Sequence, residues 1–335
     1  MIISKTPFRM SLFGGGTDYP DWYKEHGGAV IGTTIDKYCY LSVRYLPPFF
    51  EHKHRVVWSN IELINEIADI RHPAVRSILE EMGFEDGMEI TYNADLPARS
   101  GLGSSSSFSV GLLNALNALR GRMVSKDELA QEAIRIEQDV MKEAVGSQDQ
   151  IWAAYGGLNR IEFLRDGSFD VAPMILSGEN RKTFQSSLML FFTGFSRYAS
   201  QIAQKQIDNF DNKQNELTTL GQLADEATSI LQGNGNMVTE LGNLMHDAWN
   251  LKRELADGVT TPAVDGIYEA GREAGALGGK LLGAGGGGFM LFVVKPEDKP
   301  KVRERLKDLI HVSFEFDTGG SKIVVFEPES EQNGV

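Results

Sequence analysis

The spacing of hydrophobic positions changes several times along the chain, and the changes divide it. Over residues 1–45 apolar and polar positions alternate, with Gly14-Gly15-Gly16 and Gly27-Gly28 as punctuation, which predicts strands joined by turns. Residues 60–83 read as short helices interrupted near Pro73, and 88–93 as a strand. After a loop with Pro97, helical spacing runs over 105–119 and again over 125–144. Strands are expected at 158–163, 169–171 and 188–192, then helices at 197–211, 215–232, 237–256 and 262–275. A strand-like stretch at 280–294, a helix at 297–309 and a strand at 322–326 complete the pattern, and the polar tail from Pro328 is expected to fray. A strand-rich part gives way to a helix-rich part near residue 175. This predicts two domains, 1–175 and 176–335, of α/β (α+β) class, with no internal repeat.

Length and composition agree with two domains: 335 residues are too many for one typical core, and 41% hydrophobic with 24% charged is ordinary for a globular chain. The single cysteine, Cys39, excludes an intrachain disulfide and any cysteine-cluster metal site, and its strand-like surroundings suit a buried thiol. No targeting segment is visible. The longest charge-free stretch, 281–294, is 14 residues and rich in glycine, too short to cross a bilayer as a helix. These features lead to the expectation of a cytoplasmic protein without a membrane partner. A net charge of −13 argues against a nucleic-acid partner, so phosphates must be bound locally, by backbone N–H groups, a metal ion and a few placed cations.

Three glycine-rich elements suit that task. The first, Leu96-Pro97-Ala98-Arg99-Ser100-Gly101-Leu102-Gly103-Ser104-Ser105-Ser106-Ser107, opens a helix, where unpaired N–H groups and the helix dipole make an anion site. By itself it also reads as a serine-rich capped turn. It is not a Walker A loop; the lysine in Gly279-Lys280-Leu281 lacks the following hydroxyl residue. The second, Gly283-Ala284-Gly285-Gly286-Gly287-Gly288, fits G-x-G-x-x-G by letters but leads into Phe289-Met290-Leu291-Phe292-Val293-Val294, a strand by composition, which disfavours a dinucleotide fold. Close backbone packing beside a ligand fits better. The third, Arg9 to Pro20, sets one cation and one carboxylate, Arg9 and Asp18, on either side of Gly14-Gly15-Gly16-Thr17. A plain hairpin would explain it as well.

In order, the three resemble the signature motifs of the GHMP kinases: Gly-x-x-Thr-Asp-Tyr at 14–19, Pro-x-x-x-Gly-Leu-Gly-Ser-Ser at 97–105, and the glycine turn at 283–288. Within that family, Arg9–Pro20, Gly101–Leu113, Glu137–Gly157 and Gly283–Phe292 look like the D-glycero-D-manno-heptose 7-phosphate kinases. Galactokinases carry Glu-His where this chain has Gly15-Gly16. The resemblance implies a two-domain fold with a left-handed βαβ crossover in the N-terminal domain, a ferredoxin-like C-terminal domain and an active site between them. It also implies ATP and Mg²⁺ as cofactors and a small sugar phosphate as partner, and it leaves monomer or homodimer open.

Roles follow from the resemblance residue by residue. Arg99, Gly101, Leu102, Gly103 and Ser104 to Ser107 would hold the nucleotide phosphates with Gly285 and Gly286. Gly14, Gly15, Gly16, Thr17 and Asp18 would hold the sugar. Glu137 and Ser105 would hold the metal, and Asp149 with Arg9 would act on the acceptor hydroxyl. The plainer readings are a solvated helix-face charge for Glu137, a helix cap for Asp149 and a turn aspartate for Asp18. For a second phosphate on the substrate the sequence offers His246, Trp249, Asn250 and Arg253 on one helix face, or the cluster Lys53-His54-Arg55. An L-fucose kinase, a heptose 1-kinase and a non-catalytic sugar and ATP sensor are the alternatives.

Overall fold

In the computed structural model, which describes residues 1–194, 199–233 and 235–327, the described strands form two sheets. The first is built on β1 (Ile2–Phe13) and β2 (Gly28–Tyr45), a long antiparallel pair. β3 (His54–Val57), β4 (Ile61–Ile64), β5 (Met88–Ala94), β6 (Leu158–Phe163) and β7 (Phe169–Pro173) extend it. Pro7 is tolerated inside β1 because the register with β2 shifts between Pro7 and Phe8, where a ladder bond can be missed. One parallel pair, β3 beside β5, is joined through β4 and the Pro73–Glu81 helix.

The second sheet holds β8 (Leu188–Gly194), β9 (Ala276–Leu281), β10 (Gly288–Val294) and β11 (Ile310–Val312) in the order β11-β8-β10-β9, all antiparallel. With helices between β8 and β9 and between β10 and β11, this is the expected ferredoxin-like arrangement. β10 is buried along its whole length, which accounts for its unbroken apolar run. Its alternation serves two cores: Phe289, Leu291 and Val293 join the larger cluster, while Met290, Phe292 and Val294 pack with Trp249 and Tyr268.

The last strands leave this sheet. β12 (Phe316–Asp317) pairs with β2, and β13 (Lys322–Phe326) pairs with β1. A single cut at 175 therefore does not separate the two sheets; the C-terminal strands belong with the first. Two other expectations change. Residues 61–64 form β4 rather than a helix, because the usual alternation is inverted there: Ile61 and Leu63 face out, while buried Glu62 accepts from Trp58 Nε1 (2.7 Å) and Arg71 N (2.6 Å). The expected helix over 125–144 ends early. A Ser125–Glu128 capping box starts Lys126–Arg135, and one wider turn, Ile136–Val140, follows with i to i+5 bonding. The tail from 328 lies outside the described residues.

What positions the site is the packing of the Ser104–Leu119 helix on β1. Gly111 lets the helix come close: a Cβ there would lie 2.8 Å from Thr6 Oγ1, and Ser4 Oγ donates to the Gly111 carbonyl at 2.8 Å. That approach brings the start of the helix beside Arg9.

Candidate active site

Arg9 sits on β1, 4% exposed, and organises the centre. Its Nε and Nη2 donate to the two oxygens of Asp149, each at 2.6 Å, and its Nη1 donates to the Gly101 carbonyl at 2.8 Å. Its backbone N–H donates to the Leu102 carbonyl at 3.1 Å. One guanidinium thus ties the carboxylate to the first glycine loop by a bidentate fork. Asp149 is the second residue of the Gln148–Tyr155 helix and makes no capping bond. Gly103 lies directly beneath the pair: a Cβ there would be 3.1 Å from Arg9 Cγ and 3.3 Å from Asp149 Oδ2, and its φ of +72° favours glycine independently.

The serines of this loop divide by partner. Ser100 donates to the Pro97 carbonyl (2.7 Å), Ser107 to the Pro7 carbonyl (2.9 Å), and Ser104 accepts from Arg99 N (3.1 Å). Ser106 donates to Glu137 Oε2 at 2.8 Å, so the serine bonded to Glu137 is one position beyond Ser105. Ser105 is exposed and its hydroxyl has no protein partner among the described residues. Leu102 is buried in the core and anchors the loop, and Arg99, exposed, has a φ of +58°.

Glu137 is 1% exposed on the wide turn 136–140. Its Oε2 also accepts from Gln150 Nε2 (2.5 Å), while Oε1 is buried with no partner among the described residues. Burial pushes the carboxyl up to about 7 against the pull of Ser109, Ser106 and Gln150, and Glu143 adds to the rise. A buried, unpaired carboxylate oxygen costs free energy unless something binds it. Oxygen donors alone suit Mg²⁺, and no group of three or more His, Cys, Asp or Glu among the described residues could hold a metal. A cation here would thus complete its shell with hydroxyl, phosphate and water oxygens, as Mg²⁺ commonly does.

The Gly14–Asp18 turn is shaped from within. Thr17 Oγ1 donates to the Gly14 carbonyl (2.8 Å) and Ala29 N donates to Thr17 Oγ1 (3.1 Å), so this buried threonine closes the turn instead of presenting its hydroxyl. Asp18 Oδ1 accepts from Gly16 N at 3.0 Å, and burial, with Asp149 nearby, raises its carboxyl. Gly146 is required here, since a Cβ would meet Asp18 Oδ2 at 1.9 Å. Beside Gly15 lie Ser11 and Gln148, whose Oγ and Oε1 respectively are buried with no partner among the described residues. Neither was anticipated, although Ser11 shares a strand face with Arg9 two residues away.

The third loop packs backbone to backbone on the first. A Cβ on Gly283 would lie 2.5 Å from Gly101 Cα, and one on Gly288 would lie 2.3 Å from the Ser100 carbonyl. Gly285 abuts Val259, and the Gly286 N–H donates to the Val259 carbonyl at 3.1 Å. That amide is therefore engaged within the protein, and with Gly285 it shapes the loop by close backbone packing.

Two buried lysines were not anticipated. Lys252 and Lys280, 8% and 4% exposed, donate to the carbonyls of Gly283 and Leu12 respectively, the former at 2.5 Å and the latter at 3.0 Å. The signal was present: Lys252 follows Ala248 by four residues in the apolar stripe of the Met237–Arg253 helix. The groups expected to reach a second phosphate lie elsewhere. Trp249 is buried in the second core, His246 bonds Tyr268 Oη, and Arg253 pairs with Asp265 at 3.4 Å. Lys53 precedes β3 and His54 and Arg55 open it, three strands from β1 and so roughly 14 Å across the sheet.

Comparison with known proteins agrees with this geometry. The family description "GHMP kinases N terminal domain" matches residues 68–157 and "GHMP kinases C terminal" matches 234–311, together half of the chain. The D-glycero-alpha-D-manno-heptose 7-phosphate kinase of Campylobacter jejuni is 26% identical over 91% of this chain and 93% of its own. The L-fucokinase/L-fucose-1-P guanylyltransferase of Bacteroides fragilis is also 26% identical, over 92% of this chain, which spans only 36% of that longer protein. Among solved structures, a D-glycero-D-manno-heptose 1-phosphate kinase from Bacteroides thetaiotaomicron superposes with a TM-score of 0.78 at 24% identity, covering 96% of this chain and 98% of its own. With the two family halves in sequence order, and a carboxylate and cation set where the glycine loops meet, this chain belongs to the GHMP kinases and is an ATP-dependent sugar kinase.

Proposed function

We propose that the chain transfers the γ-phosphoryl group of ATP to the anomeric hydroxyl of D-glycero-D-manno-heptose 7-phosphate, giving heptose 1,7-bisphosphate and ADP. The observation that carries the chemistry is the Arg9–Asp149 fork lying against Gly101 and Gly103. Phosphoryl transfer needs an oriented nucleophile and screened charge more than covalent work by the protein. Asp149 accepts a hydrogen bond from the acceptor hydroxyl and takes its proton as the O–P bond forms. Arg9 holds that carboxylate in place and offsets charge developing on the attacking oxygen. The N-terminal amides of the Ser104–Leu119 helix, capped by no side chain, face the nucleotide phosphates.

Glu137 and Ser105 would hold Mg²⁺, which when bound screens the phosphate oxygens. Support comes from the orphaned Glu137 Oε1 and the unpartnered Ser105 hydroxyl. On the acceptor side, Asp18, Ser11 Oγ and Gln148 Oε1 present buried hydrogen-bonding capacity that sugar hydroxyls could satisfy. The substrate assignment rests on the Campylobacter jejuni relative and on the absence of side chains at Gly15-Gly16. Alignment with the fucokinase segment favours L-fucose as the second reading. An ADP-release assay over heptose 7-phosphate, free heptose, L-fucose, galactose and mevalonate tests both. The expected result is a preference for heptose 7-phosphate; a higher kcat/KM for L-fucose or free heptose would refute it, and no ADP with any acceptor would leave a sensor.

A further inference from the structure

Lys252 and Lys280 are the two buried ammonium groups that the reaction as described does not use. They come from different elements, the Met237–Arg253 helix and β9, and lie near each other beside Arg9 and Asp18. Lys252 feels the charges of Arg9, Asp18 and Asp149, and Lys280 those of Lys252, Arg9 and Asp18. Neither has a carboxylate within ion-pair distance among the described residues. Their protein partners are backbone carbonyls: Gly283 and, at 3.5 Å, Leu281 for Lys252, and Leu12 for Lys280. An ammonium has three donors, so each retains at least one.

The local charge balance is uneven. Arg9 is matched by Asp149, which leaves two lysines against Asp18 alone. Isolated buried cations are costly and are usually paired or binding something. The position of this surplus is informative. Lys252 holds the carbonyl of Gly283, in the loop packed on the nucleotide-side glycines, and Lys280 holds Leu12, two residues before the acceptor turn. The surplus therefore spans the gap between the two sides.

We propose that Lys252 and Lys280 form a paired-cation subsite that takes a phosphoryl dianion in this cleft. The dianion is either the phosphate ester already on the sugar or the terminal phosphoryl of the nucleotide. This rests on reading the cleft as the phosphoryl-transfer centre. Binding draws the ammonium groups to the anion without requiring new side chains, and each lysine carries its own loop, so occupancy also fastens β9 and the 283–288 turn around the ligand.

Sulfate, which stays a dianion across the working range, is the probe. Burial lowers Lys252 to about 8 and holds Lys280 well below its ordinary value. The charged groups facing them are Arg9, Asp18 and each other, with Asp149 also facing Lys252. Sulfate affinity of the wild-type chain, measured by calorimetry, is expected to fall about tenfold per pH unit above 8 for each proton lost. The double variant Lys252→Met/Lys280→Met, confirmed folded by its melting curve, is expected to lose at least tenfold in sulfate affinity at pH 7. A flat wild-type pH profile, or a folded double variant with wild-type sulfate affinity, would overturn the subsite. Kinetics identify the source. If the sugar's ester is bound, the variant loses its KM preference for sugar phosphate over free sugar; if the nucleotide's phosphoryl is bound, kcat falls alike for both. A wild-type chain that phosphorylates no sugar yet keeps lysine-dependent sulfate binding would sink the proposed function and leave the subsite standing.

Discussion

Glu137→Gln is expected to make the protein more stable and less active at once. In the folded chain this carboxyl is pushed up to about 7 from an ordinary 4.5, chiefly by burial. For an acid raised in this way, folding favours the protonated form. The associated stability is present below 4.5, is lost progressively as pH rises to about 7, and stays lost above that. At about 1.4 kcal/mol per pH unit, the ionised group costs the wild type on the order of 3 kcal/mol at pH 8. Glutamine has nearly the same shape, carries no charge and can still accept from Ser106 and Gln150. Without divalent metal at pH 8, the variant should therefore melt roughly 4–5 °C above wild type, and the gap should close by pH 4.5. Adding Mg²⁺ with a non-hydrolysable ATP analogue should raise the wild-type Tm more than the variant's, because only the wild type gains a charged ligand for the ion. Scanning fluorimetry from pH 4.5 to 8.5, with and without Mg²⁺, supplies all of these comparisons. A gap independent of pH, or a variant less stable throughout, would show that Glu137 is not held as a buried, metal-seeking acid. Unchanged kcat would remove it from the reaction.

Asp149→Asn should keep ATP affinity and Tm while kcat falls by about 10²–10⁴, the usual worth of a positioned base; loss confined to KM would assign it to binding. Arg9→Met should also lower kcat, and steady-state kinetics of the double variant should show less than the product of the two losses, since both act through one fork. Ser105→Ala should reduce Mg²⁺-dependent kcat more than Ser107→Ala, whose hydroxyl is committed to the Pro7 carbonyl; equal small effects would mean that the loop acts through its backbone. Gly101→Ala should lower both Tm and kcat, because its methyl would sit 2.3 Å from the Leu282 carbonyl and force the two glycine loops apart; wild-type activity would disprove their contact.

Much of the fold could be read from period alone. The Gln214–Gln232 helix and the Met237–Arg253 helix fall within a few residues of expectation, because long amphipathic faces are robust signals. Where reading failed, tertiary partners had overridden local pattern: β4 buries its glutamate and exposes its aliphatics, and β13 joins a sheet begun more than 300 residues earlier. In the site, Arg9, Asp149 and Glu137 were singled out because the segments that hold them resemble those of the GHMP kinases, and the fold buries Arg9 and Glu137 and pairs Arg9 with Asp149. Lys252 and Lys280 were not, since a lone lysine in an apolar stripe looks like a snorkelling surface residue until its neighbours are known. Nor does a loop of five serines and two glycines say which hydroxyl is spent on structure; only the packing of Ser106 on Glu137 and Ser107 on Pro7 separates them from Ser105.

The return of β13 to β1 bears on how the chain is made. During synthesis β1 precedes β13 by more than 300 residues, so one of its edges stays open until residues 322–326 follow. Until then, the N–H and C=O groups of Ile2 to Lys5 that β13 will cover form an unpaired strand edge, a template for any other extended segment nearby. The intervening ferredoxin-like unit contains its own four strands and can assemble first. The glycine loops of the proposed centre come from both bodies and pack on each other. A nascent or truncated chain lacking residues after 315 would therefore present a finished second sheet beside an aggregation-prone first one. Closing that edge across so long a separation should be the slow step of folding.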